Sequence, residues 1–245
     1  MILLKTILEN YDIIGHLRSR GVDPDKTTVL LDKENGIATF LLYNLSGKLV
    51  GYQRYNPRGD KKDHTNSLMA KYYNYVTKED GAHSAIAVWG LDTLDMSEPY
   101  LFITEGIFDI VKLKNLGLPG IAVLSNNPKH LLPWFKILNK KIIAVLDSDD
   151  SGSKLRNVAD YAITTPSPYK DLGDMPDEEV IKFISPVINK FKEGTIKNPK
   201  INWNTTINNP ETGNDILLKT ALGYLPDHPA HILAKKIITK SKKSE

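Results

Sequence analysis

The 245-residue chain contains no cysteine. That absence excludes disulfides, a thiol nucleophile and any Cys-ligated zinc site. No apolar run approaches the ~20 residues needed to cross a bilayer, so no membrane role is expected. The N-terminal stretch MILLKTILENYDIIGHL is interrupted by Glu9 and Asp12 and leads to no small-residue cleavage site. It reads as a short amphipathic helix and not as a signal peptide. There is no internal repeat and no G-x-x-x-x-G-K-[ST] run, hence no P-loop. A strong charge of either sign is also missing: the net charge is +3, too mild to announce a polyanion binder by itself. What remains is ordinary globular composition, 41% hydrophobic and 25% charged, with length for one large domain or two modest ones. The expected location is a reducing cytoplasm.

The distribution of charge says more than its sum. Between Arg54 and Lys78 stand Arg54, Arg58, Lys61, Lys62, Lys71 and Lys78, against Asp60 and Asp63. Carboxylates gather instead between Glu105 and Glu179. A basic surface beside an acidic pocket suits an enzyme that holds a polyanion while binding metal ions. For Arg58, Lys61 and Lys62 the simpler account is a solvated hairpin and loop.

Along the chain, residues 1–24 read as helical and end near Gly21 and Pro24. TTVLL, GIATFLLYN and KLVGYQRYN, with turn signals between them, form a small antiparallel sheet. The polar stretch from Pro57 to Ala70 reads as a loop, and AIAVWGL at 85–91 as a short apolar segment leading into a helix or turn. From Tyr100 the pattern changes. YLFIT, GIAVLS, KIIAVLD and DYAITT are strands, with GIFDIVKLKNLG and PKHLLPWFKILN as helices and a further helix starting near Ser151. Strands alternating with helices at this spacing imply βαβ units and a parallel sheet. After about Phe183 the pattern weakens into helices, a loop and a lysine-rich end, which serves solubility more readily than binding.

In such a sheet ligands lie at the carboxyl ends of the strands. Glu105 and Asp147 each follow a strand directly. In TEGIFD, Gly106 permits a tight turn and Asp109 falls four residues after Glu105, one helical turn along. In LDSDDSG, Asp147 and Asp149 are two apart, so in an extended segment both carboxylates reach one ion. YKDLGD places Asp171 and Asp174 in a loop beyond the next strand. Crowded carboxylates repel unless a cation compensates them, and oxygen ligands without His or Cys favour Mg²⁺ or Mn²⁺. Any one of these acids also serves as a helix N-cap or a solvated surface group; the ordered set is what points to a metal. Tyr72 can stack on a base, whereas Tyr73, Tyr75, Trp89 and Trp134 read first as packing.

TEGIFD and LDSDDSG resemble the two signatures of the Toprim domain, shared by bacterial-type primases, topoisomerases and certain nucleases. Upstream, GKLVGYQRYNPRGD, KYYNY and AVWGLDTL resemble the RNA-polymerase core of DnaG-type primases. Gly47, Gly51 and Arg54 stand for its first motif, Lys71, Tyr72 and Asn74 for the second, and Trp89, Gly90 and Leu91 for the third. The likeness covers about residues 35–180. It implies an α/β fold in which a Toprim parallel, Rossmann-like sheet follows a small mixed α+β subdomain and precedes a helical extension. The implied division is 1–97 for template binding, 98–182 for the metal-binding catalytic domain and 183–245 for a helical, partly disordered basic extension.

The resemblance also implies roles. Glu105 matches the acid that assists proton transfer from an attacking 3′-hydroxyl. Asp147 and Asp149 match the metal ligands, with Asp109, Asp171 and Asp174 completing the ion sites, and Arg54 and Lys71 match residues facing template or nucleotide phosphate. The implied activity is a DNA-directed nucleotidyltransferase that makes short RNA primers on single-stranded DNA from ribonucleoside triphosphates. The zinc-binding module usual in that family is not expected, nor is a fused helicase, so a replicative helicase or a separate template-recognition protein is an expected partner. The short layout resembles a phage or mobile-element protein. Two alternatives stay open: a Toprim nuclease activating water with the same acids, and a non-catalytic replication or DNA-binding module. A topoisomerase is disfavoured, since no tyrosine stands out as its nucleophile.

Overall fold

The computed structural model describes residues 11–44, 47–63, 65–77, 87–92, 94, 97–125, 127–138, 140–148 and 150–193. The first ten residues, the expected extension beyond 193 and Asp149 therefore lie outside the described residues. Asp12 caps α1 (Ile13–Ser19), accepting the Gly15 N–H at 2.8 Å, and Gly21 ends the turn at φ +78°. That left-handed conformation suits a residue without a Cβ. Ile13 and Leu17, one turn apart, carry the helix's buried side.

Four strands follow as an antiparallel meander in the order β1 (Val29–Asp32), β2 (Ile37–Tyr43), β3 (Leu49–Tyr55) and β4 (Tyr72–Val76). Its faces are settled by register. Tyr55 lies opposite Tyr72 and Gln53 opposite Asn74, while Arg54 lies opposite Tyr73 and Tyr52 opposite Tyr75. Cross-strand partners share a face, and Ala38, Phe40, Gln53 and Tyr55 are buried. The inner face thus carries Tyr55 and Tyr72, and the outer face carries Tyr52, Arg54, Tyr73 and Tyr75. Gly51 is required where β3 meets β4, because a Cβ there would stand 2.1 Å from the Tyr75 carbonyl oxygen.

The second sheet is wholly parallel. It comprises β5 (Tyr100–Thr104), β6 (Gly120–Ala122), β7 (Lys141–Leu146) and β8 (Tyr161–Thr164), in the order β6-β5-β7-β8. The helices are α2 (Ile107–Asn115), α3 (Leu132–Ile137) and α4 (Asp177–Glu193), and the segment after Asp149 is a 3₁₀ run over Asp150–Val158. All of β5 is buried, as expected of a strand covered on both faces. Tyr100, Phe102, Ile143 and Val145 point towards α2 and α4, whereas Leu101, Ile103, Ile142 and Ala144 point towards Trp134, Phe135, Leu155 and Val158. α4 offers Val180, Ile184 and Val187 to the first of these cores and runs unbroken through the expected boundary at 182/183. No helix among the described residues is long and apolar enough to cross a membrane.

Two features join the sheets. Val88 exchanges both backbone hydrogen bonds with Tyr43 of β2, at 2.9 Å each, and Trp89 exchanges both with Ala122 of β6, at 3.0 Å each. Side chains do the rest: the Phe108 ring of α2 meets Tyr55 at 4.8 Å and Phe40 at 6.0 Å, both edge-on, while Phe40 meets Trp89 at 6.1 Å. One apolar cluster therefore runs from the antiparallel sheet through α2 to the parallel sheet. Phe108→Ala is expected to cost about 3–5 kcal/mol. Urea unfolding followed by tryptophan fluorescence and by circular dichroism should give one coincident transition in the wild type; two separated transitions would contradict a shared core.

Candidate active site

The chain enters the parallel sheet at β5, crosses to β6 on one side and returns to β7 on the other. The strand order reverses between β5 and β7, and a crevice forms at such a switch point. Glu105 leaves the carboxyl end of β5, and Asp147 leaves that of the adjacent strand β7, where the pairing of Ile103 with Ala144 sets Asp147 one position beyond Glu105. The Glu105 carbonyl is tied down by the Leu124 N–H at 3.1 Å, and Leu124 holds φ +53°, a left-handed conformation uncommon for leucine. Buried Thr104 donates its hydroxyl to the Gly106 carbonyl at 2.7 Å, which closes the turn into α2.

Asp109 occupies the first turn of α2 and is only 9% exposed. Its carboxylate folds back over Gly106, where a Cβ would come within 2.8 Å of Oδ2, so a side chain in place of the glycine in TEGIFD would displace that oxygen. Oδ1 accepts the Gly173 N–H at 3.1 Å. Burial, and then the charges of Asp171 and Asp147, push the Asp109 carboxyl up to about 7. Asp147, after β7, and Asp171, in the loop after β8, therefore lie within electrostatic range of Asp109, and the three make up the acidic set of the described residues. That loop is anchored to its neighbour by the Ser148 N–H, which donates to the Lys170 carbonyl at 2.9 Å. Asp171 also caps the short 3₁₀ turn Leu172–Asp174, accepting the Asp174 N–H at 3.1 Å.

Other sequence candidates fall elsewhere. Asp174 is exposed and is not among the charges acting on Asp109. Arg54 sits on the outer face of β3, where it acts on Asp32 of β1, because period-two alternation beside buried Gln53 and Tyr55 turns it from the acids. Asn74 accepts a hydrogen bond from Gln53 at 2.8 Å, which reads as sheet structure. Tyr72 is placed at the cluster: its ring stacks on Tyr55 at 5.2 Å. Burial raises its hydroxyl well above the usual tyrosine range, with Tyr55, Asp109 and Asp171 adding to the effect.

Arg20 was not singled out by sequence. It lies with its guanidinium 4.5 Å above the Phe108 ring, its charge opposes the rise at Asp109, and its buried Nε has no hydrogen-bond partner. Lys71 stands beside it. Partial burial, then the charges of Lys61, Arg20 and Lys170, hold its ammonium below the usual lysine range. Arg20 thus acts on Asp109 on one side and, together with Lys170, on Lys71 on the other. The chemistry of the acidic set, all oxygen donors, fits a hard divalent cation that would relieve the repulsion at Asp109. Among the described residues no three His, Asp or Glu side chains stand close enough together to hold a metal ion as they are placed.

No protein-family model matches the chain, and no curated protein matches it in sequence. Solved structures do. The Aquifex aeolicus primase, in its zinc-binding and RNA polymerase domains, matches with a TM-score of 0.52 at 17% identity, over 96% of this chain and 68% of that one. The RNA polymerase domain of Mycobacterium tuberculosis primase DnaG matches with a TM-score of 0.48 at 13% identity, over 98% and 80%. The primase fragment of the bacteriophage T7 primase-helicase matches with a TM-score of 0.44 at 16% identity, over 60% of this chain; the chain spans 62% of that fragment's length. The Aquifex likeness establishes the fold: a parallel α/β sheet joined to an antiparallel one, similar to that primase's solved domains.

A carboxyl group raised on folding stabilises the protein most below its unfolded range and loses that contribution as pH climbs through the folded value. Stability of the metal-free protein should therefore fall between about pH 4 and pH 7, the interval that the shift at Asp109 spans. Urea midpoints at pH 5 and pH 8 check this. Asp109→Asn should flatten the slope and raise the midpoint at pH 8; an unchanged slope would show that the ionisation lies elsewhere.

Proposed function

We propose that this protein is a primase-like nucleotidyltransferase that synthesises short RNA on a single-stranded DNA template by metal-dependent chemistry. The observation that supports the proposal is that Asp147, Asp171 and Arg20 all act on Asp109, and Arg20 and Lys170 on Lys71, beside the switch point of a fold like that of the Aquifex primase. An acidic cluster alone serves many ends. Joined to these cations, it suits a reaction in which a triphosphate is held and one of its phosphoryl bonds is broken.

In this reading Asp147, Asp149, Asp109 and Asp171 hold Mg²⁺ or Mn²⁺, with Glu105 beside them and Asp174 as an outlying contributor. Bound there, such ions lower the pKa of an attacking hydroxyl and offset charge on the leaving group. The protein's own groups supply the rest. Glu105, at the strand end, takes the proton from the 3′-hydroxyl of the growing strand. Lys71 and Arg20 bind the phosphates of the incoming ribonucleotide, and the unsatisfied Nε of Arg20 gains a partner. Tyr72 offers the exposed part of its ring to a base or ribose, backed by Tyr55. Arg54, on the outer face, is assigned to the template path and not to the triphosphate.

The domain reading accompanies this. Residues 1–97 guide the template, 98–182 carry the chemistry, and 183–245 form an extension that begins inside α4. A cytoplasmic replication role follows, with a replicative helicase or a separate template-recognition protein as partner. The same metal arrangement serves a nuclease when water replaces the ribose hydroxyl, so the decisive assay must read both products.

Incubation with Mg²⁺ or Mn²⁺, single-stranded DNA and labelled ribonucleoside triphosphates should yield extension products and no shortened template. Asp147→Asn, Asp149→Asn and Glu105→Gln should each lower incorporation by about 100-fold or more with the circular dichroism spectrum unchanged. Shortened DNA or RNA would replace this reading with a nuclease, and full activity in all three variants would leave only a binding module. Template affinity should fall steeply with salt, as phosphate contacts require.

A further inference from the structure

The loop from β3 to β4, residues 56–63 and 65–71, is the part of the site's surroundings that the carboxylate chemistry does not use. It is a braced structure. Asn56 Nδ2 donates to the Leu68 carbonyl at 2.8 Å, and Asn66 Oδ1 accepts the Leu68 N–H at 3.0 Å. The Asp60 N–H donates to Met69 O and its carbonyl accepts the Lys71 N–H, both at 2.8 Å. Ala70 is buried, and Gly59 lies so close to it that a Cβ would fall within 2.6 Å of its backbone. This frame holds two large apolar side chains outward: Leu68 is 52% exposed and Met69 61%. Their solvation is unfavourable, and among the described residues nothing covers them.

The charges around them are mostly positive: Arg58, Lys61, Lys62 and Lys71 outnumber Asp60 and Asp63. Lys61 and Lys62 are exposed, and Lys71 stands at the root of the loop within the field of Lys61, Arg20 and Lys170. The loop's two acids are engaged by its own backbone: exposed Asp60 accepts the Lys62 N–H, and half-buried Asp63 accepts those of Thr65 and Asn66. The surface therefore combines cations with exposed aliphatic tips, next to the acidic cluster. A free polyphosphate answers the lysines and leaves Leu68 and Met69 wet. An apolar protein surface answers Leu68 and Met69 and strands the lysines. A polyanion that carries flat apolar faces at regular intervals answers both.

We propose that this loop is a strand-holding finger: Leu68 and Met69 pack against the bases of single-stranded nucleic acid whose phosphates follow Lys61 and Lys62 past the carboxylates. The inference rests on the nucleic-acid reading above and adds where the strand leaves the site. Fluorescence anisotropy with labelled oligodeoxythymidine, and with an abasic strand of equal length and charge, tests it. The wild type should bind the base-bearing strand about ten-fold more tightly. The L68S/M69S double variant should bind both strands alike with the salt slope unchanged, and L68M/M69L should keep the preference. A 5-iodouracil strand should cross-link within residues 65–71. Equal wild-type affinity for the two strands, a preserved preference in L68S/M69S, loss of both strands in that variant, or cross-links only elsewhere would overturn the finger while leaving the polymerase reading intact. Wild-type protein that binds neither strand would end both.

Discussion

The site depends on one pairing of neighbours in the chain: Phe108 and Asp109. Phe108 fixes the first turn of α2 by contacting Phe40 and Tyr55 on one sheet while Arg20 covers its ring. Wherever that ring is buried, the next residue is drawn out of water with it. Asp109 thus pays a desolvation cost that the Gly173 N–H and Arg20 offset in part and that a cation or a proton would relieve. The apolar contact that joins the two sheets is the same one that sets the electrostatics of the rim, so packing and chemistry cannot be tuned separately there.

Much of this was legible in the sequence, for identifiable reasons. Strands covered on both faces are written as unbroken apolar runs, so YLFIT and KIIAVL stand out, and the acids after them are placed by the geometry of parallel sheets. Asp109 follows from helical spacing, and it does reach Asp147 and Asp171 electrostatically. Asp149 lies outside the described residues, and whether it joins them rests on the variant experiments. Arg20 was invisible for a different reason. It is separated by more than eighty positions from the acids it faces, and it looks like any other charge in HLRSRG. Its place comes from how α1 lies across Phe108, a tertiary fact with no local signature.

Arg54 teaches the converse. Its motif pointed to the site, but a strand delivers alternate residues to opposite faces, and buried Gln53 and Tyr55 claim the inner one. The period-two rule applied to β3 and β4 together would have paired Tyr55 with Tyr72 on the acid side and left Arg54 with Tyr52, Tyr73 and Tyr75 outside. Motif spacing identifies neighbours along a chain, while pleat parity decides which of them look at the same ligand. The loop tip at Leu68 and Met69 escaped for a simpler reason: apolar residues in a polar stretch carry no sign of whether they turn in or out.

The two-residue tie at Val88 and Trp89 has a consequence for anyone dissecting the molecule. Each residue satisfies backbone groups on a different sheet, Trp89 along the edge of β6 and Val88 along the end of β2 that β1 does not reach. A truncation separating the halves would strip both margins at once and expose strand edges ready to recruit other chains. Fragments cut near this point are poor candidates for soluble expression, and the smallest workable piece keeps both sheets.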